Sequence, residues 1–281
     1  MLIRQSGAKK MRAAVAAFGL LVLAACGGGE EVRPLDSFSA EELYKQAEFQ
    51  LEAGEADEAA RTFGEVERLY PYSDWARRAL VMQAFSYHRD RDYESARGAA
   101  QRFLTTFPAD EDAAWAQYLL ALSYYDQIDD VGRDQGLTFQ ALQALRDVIE
   151  IYPDSDYARS AVLKFDLAFD HLAAKEMEIG RYYLKRGHYV AAINRFRVVV
   201  EDFQTTTQTA EALHRLVESY LSLGLEAEAQ TAGAILGHNF QSTSWYQDSF
   251  ALLTGRGLRP EATGDNWLRR VYRQTLRGEW L

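Results

Sequence analysis

Residues 80–108 carry a spacing that few folds can accommodate. Ala84, Tyr87, Ala96 and Phe103 precede Pro108 by 24, 21, 12 and 5 residues. Two helices approach closely only where the contact residue is small, so Ala84 and Ala96 read as the touching points of an antiparallel helix pair. Tyr87 and Phe103 fill the space on either side. Pro108 has no backbone N–H, so it ends the second helix and sets the turn into whatever follows. The interval recurs: Ala47, Ala59, Phe63 and Pro71 repeat it, again with 24 residues from the first small residue to the proline, and Ala84 follows Pro71 by 13. Pro108 plus 13 gives Ala121, with Tyr124 three residues on; Ala141, Leu145, Val148 and Pro153 complete that unit eight residues late. The excess lies at 126–135, between the two helices. Gly180, Tyr183, Ala192, Phe196 and Val199 make a fourth unit closing near Gln204. Val217, Tyr220, Ala229, Gly233 and Leu236 make a fifth.

A period of this length, punctuated by small residues, aromatics and prolines, is the tetratricopeptide (TPR) pattern. The expected fold is all-α: a right-handed solenoid of five TPR helix pairs with a C-terminal helical extension. Ala47, Ala84, Ala121, Gly180, Ala59, Ala96, Ala141 and Ala192 are expected at the close crossings. No stretch shows the alternation of a strand. Ser39 with Glu42 reads as a capping box at the first helix. Gly54, Gly187 and Gly224 mark turns within pairs. The polar clusters after the prolines, Ser73-Asp74, Asp110-Glu111-Asp112 and Asp154-Ser155-Asp156, could be taken for catalytic carboxylates or a calcium site; helix N-capping is the simpler reading.

The chain opens on an export signal at 1–25. Arg4, Lys9, Lys10 and Arg12 precede twelve apolar residues from Ala13 to Ala24, too few to span a bilayer. The run ends in Leu23-Ala24-Ala25-Cys26. Cys26 is the chain's single cysteine, so it forms no internal disulfide, and it stands where lipidation requires it. The stretch resembles the lipobox of bacterial lipoproteins, whose cysteine is diacylated and becomes the N-terminus; two acyl chains anchor stably where one does not. Gly27 rather than aspartate follows the cysteine, which favours the outer membrane. Residues 26–38 read as a tether, 39–243 as the solenoid and 244–281 as the extension. Removing the signal takes the net charge from −10 to −14, which argues against nucleic acid as a partner.

Catalysis finds no support. His88, His171, His188, His214 and His238 include no i, i+4 pair and no H-E-x-x-H motif, and there is no phosphate-binding glycine loop or G-x-S-x-G elbow. No catalytic residue, metal site or cofactor is expected beyond the lipid on Cys26. In TPR pairs the concave surface comes mainly from the first helices. The corresponding positions in the second and third units are Arg78, Val81, Phe85, His88, Arg89, Trp115, Tyr118, Leu122, Tyr125 and Asp126. Aromatics with arginines suit extended segments that end in aromatics and a carboxylate. Packing between units would equally explain Trp115 and Tyr118.

A lipobox followed by five such units resembles the BamD family of lipoproteins, from the machinery that folds β-barrels into the bacterial outer membrane. The likeness rests on Asp129-Asp130-Val131-Gly132-Arg133-Asp134-Gln135, similar to that family's D-x-x-R-D-Q loop. It rests also on Arg68-Leu69-Tyr70-Pro71-Tyr72, Ile151-Tyr152-Pro153-Asp154-Ser155 and the run from Glu178 to Gly187. It runs from Cys26 to about Phe240. It departs where Gln204 and Gln241 replace the closing prolines and in the tail after Trp245. The resemblance implies a non-enzymatic scaffold anchored to the outer membrane and facing the periplasm. Its partners would be a BamA-like barrel subunit, met through periplasmic domains by the C-terminal repeats, other lipoproteins of the machinery, and unfolded barrel proteins at the N-terminal repeats. Arg195 matches a position where the family places an arginine facing the barrel subunit, and Arg133 and Asp134 lie in the family loop. A TPR adaptor of another envelope complex, such as a cell-division coordinator, is the alternative; the 129–135 loop discriminates, because a generic pair turns tightly there. The tail from Ser244 leaves the repeat pattern. Its Trp267, Leu268, Val271, Tyr272, Thr275 and Leu276 share one helical face, and three roles compete: capping the fifth unit, lying on the membrane, or docking on a partner.

Overall fold

The computed structural model describes residues 34–262, 267, 268, 270 and 271. Cys26, the signal segment and most of the tether lie outside the described residues, as does much of the tail helix read at 265–276. Among the described residues there are helices and turns and no strand. Five antiparallel pairs follow one another: α1 (Ala40–Glu52) with α2 (Ala56–Leu69), α3 (Asp74–Arg89) with α4 (Tyr93–Thr106), and α5 (Ala113–Tyr125) with α6 (Gly136–Ile151). Then come α7 (Asp156–Lys185) with α8 (Tyr189–Asp202), α9 (Thr209–Ser222) with α10 (Glu226–Asn239), and a last helix, α11 (Ser244–Thr254). Each helix packs on the next, and α1, α3, α5 and α7 also touch in series, so the first helices line one face of the stack.

The crossing residues sit where the spacing puts them. Ala47, Ala59, Ala84, Ala121, Ala141 and Ala192 are fully buried, and Ala96 nearly so. A Cβ on Gly180 would stand 2.4 Å from the ring of Phe196. Phe63, Phe103, Leu145 and Phe196 on the second helices are fully buried, each contributing about 1.5–3 kcal/mol by leaving water. Ser39 and Glu42 form the capping box, with Glu42 N–H donating to Ser39 Oγ and Ser39 N–H to the Glu42 carboxylate. Gly54, Gly187 and Gly224 take positive φ at the turns within the first, fourth and fifth pairs, where a side chain would be strained.

The turns between units share a device that the prolines conceal. Tyr70, Phe107, Tyr152, Phe203 and Phe240 each occupy the C-cap of a second helix, with φ between −124° and −134° and ψ between 33° and 56° wherever proline follows or not. Each carbonyl accepts the N–H three residues on, from Ser73, Asp110, Ser155, Thr206 and Thr243. Gln204 and Gln241 therefore replace proline without altering the turn. The hydroxyls of Ser73, Ser155 and Thr243 then accept the N–H of Ala76, Ala158 and Tyr246, capping α3, α7 and α11. After Pro108 the capping reading needs correction: Asp112 makes no side-chain cap, and Asp110 instead accepts Asp112 N–H and an Arg77 guanidinium contact at 2.6 Å.

Two further features depart from the repeat reading. The expansion at 126–135 separates α5 from α6 as expected, but the chain also lengthens after Pro153. Helix α7 runs 30 residues without a break, roughly twice a TPR helix. Its first half packs on the third unit through Ala161, near Ala121 and Leu145. Its second half carries Ala173 and Met177 into the core shared with Ala192 and Phe196. Residues after 243 also do not leave the pattern at once. Thr243 caps α11 as Ser73 caps α3, and α11 packs on α9 and α10, where the first helix of another pair would sit. Its Ser249 and Leu253 are fully buried.

Candidate functional site

The face lined by first helices carries aromatic side chains across successive unit boundaries. Tyr44 of α1 meets Trp75 of α3 at 5.0 Å between ring centroids, Phe85 of α3 meets Trp115 of α5 at 5.6 Å, and Tyr118 of α5 meets Tyr157 of α7 at 5.5 Å. Phe165 stacks on Phe169, which tilts against Phe203 at 4.8 Å. Cations lie over these rings: Arg78 over Trp75, Arg89 over Phe85 and Lys164 over Tyr125. Burial raises the phenol pKa of Tyr44, Tyr118 and Tyr125. The arrangement offers flat apolar faces, phenol donors and positive charge.

Of the first-helix residues read from the spacing, Phe85, His88, Trp115, Tyr118, Leu122 and Tyr125 are half-buried, and Arg78, Arg89 and Asp126 are exposed. Val81 is corrected: it is 2% exposed and packs with Leu80, Ala84, Ala99 and Phe103, so no peptide can reach it. Its position, three before the small residue, falls between neighbouring first helices rather than on their open side. His88 Nε2 lies 3.1 Å from an Asp126 oxygen without making a hydrogen bond. Trp115 and Tyr118 both pack between units and keep part of their surface open.

The expanded loop is held by its own side chains. Asp130 Oδ1 accepts Gly132 N–H, and Asp134 Oδ1 accepts Gly136 N–H at the start of α6. Lys175 of α7 donates to Gly132 O at 2.8 Å, pinning the loop to the long helix. Arg133 projects into water and pairs with Asp129 at 3.1 Å. Arg195 on α8 pairs with Glu176 of α7, also at 3.1 Å. Asp134 thus has a structural task, whereas Arg133 and Arg195 keep exposed guanidinium surface.

A second cluster, absent from the sequence reading, joins the fourth and fifth units. Arg181 makes a two-pronged contact with Glu211, which also meets Arg215; Arg215 reaches Glu218, and Glu218 lies 3.6 Å from His214. His214 Nδ1 stands 2.8 Å from Ser249 Oγ, and Trp245 packs against both His214 and Arg215. Burial pushes the Glu218 carboxyl up, but hydrogen bonds from His214 and Arg215 and their charges outweigh it, leaving the pKa lowered to about 2. Ser249, His214 and Glu218 form a row reminiscent of a hydrolase triad. Ser249 is fully buried, however, so its hydroxyl meets no substrate. The i, i+4 spacings Glu211/Arg215 and His214/Glu218 were readable as helix-face pairs; the links to Arg181 and Ser249 were not. His214, Arg215, Glu218, Trp245, Asp248 and Leu252 line an open cleft of about 550 Å³.

Among the described residues, no group of three or more His, Cys, Asp or Glu is placed to hold a metal ion, and no helix is long and apolar enough to cross a membrane. Comparison with known proteins agrees on one kind of relative. Residues 36–235 match the YfiO family model, described as an outer membrane lipoprotein. A Caulobacter vibrioides protein named outer membrane protein assembly factor BamD is 46% identical over 254 residues, covering 89% of this chain and 83% of that protein. Proteins of the same name from Rickettsia prowazekii and Neisseria meningitidis serogroup A are 42% identical over 211 residues and 28% over 234. These alignments cover 75% of this chain and 84% of the rickettsial protein, and 78% and 88% for the neisserial one.

Proposed function

The chain belongs to the YfiO family of outer membrane lipoproteins, and on that premise we propose that it is a non-enzymatic scaffold of the β-barrel assembly machinery. Diacylated Cys26 holds it to the inner leaflet of the outer membrane, with the solenoid in the periplasm. Its first two or three units receive unfolded barrel proteins. Its later units meet a BamA-like barrel subunit and other lipoproteins of the machinery, with Arg195 and the exposed Arg133 among the contacts.

One observation carries the substrate half of this reading: the row of half-open aromatics Trp75, Phe85, Trp115, Tyr118, Tyr125 and Tyr157, backed at its start by the buried Tyr44, with Arg78, Arg89 and Lys164 lying over its rings. An extended segment rich in aromatics can stack there without further burial of charge, and a terminal carboxylate finds a guanidinium. A row that crosses unit boundaries also suits a ligand longer than one repeat. The test is Phe85→Ala combined with Tyr125→Ala. Each lost ring contact is worth about 0.5–1.5 kcal/mol, so crosslinking to a peptide from the C-terminus of a barrel protein should fall roughly tenfold while helicity by circular dichroism is kept. Undiminished crosslinking in a folded variant refutes the proposal.

A further inference from the structure

Among the described residues, three buried side-chain polar atoms make no hydrogen bond: Gln50 Oε1, His88 Nε2 and His171 Nε2. Buried polar atoms in folded proteins are nearly always paired, so an exception calls for a cause. His88 Nε2 has the Asp126 carboxylate 3.1 Å away. His171 pairs with no carboxylate among the described residues. It stands on α7, and neither the repeat packing nor the ionic cluster gives it a task.

His171 lines a pocket of about 210 Å³ where α5 runs into the expanded loop. Ile128, Leu167 and Ala168 make its apolar lining, and Tyr125 and Asp129 complete it. Leu167 is 63% exposed, so an incoming apolar group gains by covering it. Tyr125 belongs to the aromatic row, so the pocket adjoins the row's end. The charges nearby disfavour an ion. Asp129 repels a carboxylate, and it already pairs with Arg133, while Lys164 lies over the Tyr125 ring, so a further cation finds no free partner. A neutral ligand with an aromatic body and one hydroxyl suits both the lining and the imidazole. A hydroxyl serves either tautomer, since it donates to a bare Nε2 and accepts from an Nε2–H. The last side-chain torsion of histidine is soft, so the ring can turn Nε2 to meet it.

We propose that this pocket admits a tyrosine side chain of the extended segment held on the aromatic row, with His171 selecting tyrosine over phenylalanine, a step that rests on reading the row as a peptide site. The tyrosine ring lies against Ile128 and Leu167, and its hydroxyl pairs with His171 Nε2. Phenylalanine fills the same space but leaves the nitrogen unpaired, and the cost of that orphan is the basis of the choice. Stacking along the row supplies affinity; one hydrogen bond at its end supplies selectivity.

The test uses the full lipidated chain in detergent and two dye-labelled decapeptides from the C-terminus of a barrel protein, one with tyrosine at every aromatic position and one with phenylalanine. Fluorescence anisotropy should show the tyrosine peptide binding about three- to tenfold tighter, the range of one net hydrogen bond. His171→Leu should bring the two affinities together by weakening only the tyrosine peptide. A second measurement needs no variant to fold: N-acetyl-tyrosine amide should shift the ring nitrogen resonances of His171 saturably in the unaltered chain, and N-acetyl-phenylalanine amide should not. Equal affinities of the two peptides, both weakened by Phe85→Ala, overturn the pocket and leave the row standing. A preference for tyrosine that survives His171→Leu overturns the pocket as well. Binding of neither peptide overturns the row instead, and the pair of amides then decides the pocket alone.

Discussion

Replacing Gly180 with alanine should destabilise this protein, against the usual preference of helices. Alanine in a helix interior is favoured over glycine by about 1 kcal/mol. At position 180 the new methyl would stand 2.4 Å from Phe196 Cε1 and 2.8 Å from Cδ1 and Cζ. Phe196 is fully buried, so its ring can move only by displacing the core around Ala192, Val199 and Leu216. Overpacking of this kind costs typically 1–3 kcal/mol, which meets or exceeds the propensity gain. Gly98 is the control: it lies within a helix too, but an added Cβ meets nothing within 4 Å. Gly98→Ala should stabilise by up to about 1 kcal/mol, and Gly180→Ala should be neutral to about 2 kcal/mol destabilising, a separation readable from urea midpoints at constant slope. Phe196→Leu in the Gly180→Ala background should cost less than Phe196→Leu alone. If Gly180→Ala stabilises as much as Gly98→Ala, the α7–α8 crossing is not packed as described.

Further outcomes follow from single residues. Glu218, with its pKa lowered from 4.5 to about 2, contributes stability that is fully present above pH 4.5 and lost as pH falls toward 2, on the order of 1–2 kcal/mol once solvent screening of this partly exposed group is counted; Glu218→Gln should remove that part of the acid-unfolding profile, and an unchanged profile would contradict it. Cys26→Ser should abolish lipidation and release the chain from outer membrane after high-salt washing; retention would exclude the lipid anchor. Arg195→Glu should lower co-purification of the barrel subunit at moderate salt, whereas Glu176→Gln, which only frees Arg195 from its partner, should not. Equal yields from both variants would remove Arg195 from the contact.

The pairs were legible because small residues at fixed intervals leave two helices only one close approach: Ala84 with Ala96 and Gly180 with Ala192 mark crossings without any knowledge of the rest. Closing aromatics were visible in the Tyr70 and Tyr152 segments but were overshadowed by their prolines, and only the common backbone at Phe203 and Phe240 shows which residue sets the turn. The length of α7 was hidden because repeat counting starts at the small residue, and Gly180 announces nothing about how far upstream its helix begins. Val81 misled because one helix of spacing does not say where a neighbouring first helix lies. The ionic cluster of the fourth and fifth units stayed unseen for the same reason: its pairs within α9 show in the spacing, but Arg181 with Glu211 and His214 with Ser249 are 30 and 35 residues apart and only the fold brings them together.

The unbroken α7 alters how the solenoid can come apart. In a stack of separate repeats each boundary is a place where opening can stop, because neighbouring units share only an interface. Here the third and fourth units share a backbone as well. Melting the first half of α7 frays the helix that carries Met177 and Gly180, and melting the second half withdraws Lys175 from the loop at Gly132. A defect that enters at either end of the chain can halt at the α2–α3 or α8–α9 turn but not in the middle. The central two units open together or remain closed, and the two ends, one turned to the aromatic row and the other to the ionic cluster, fluctuate on opposite sides of one rigid block.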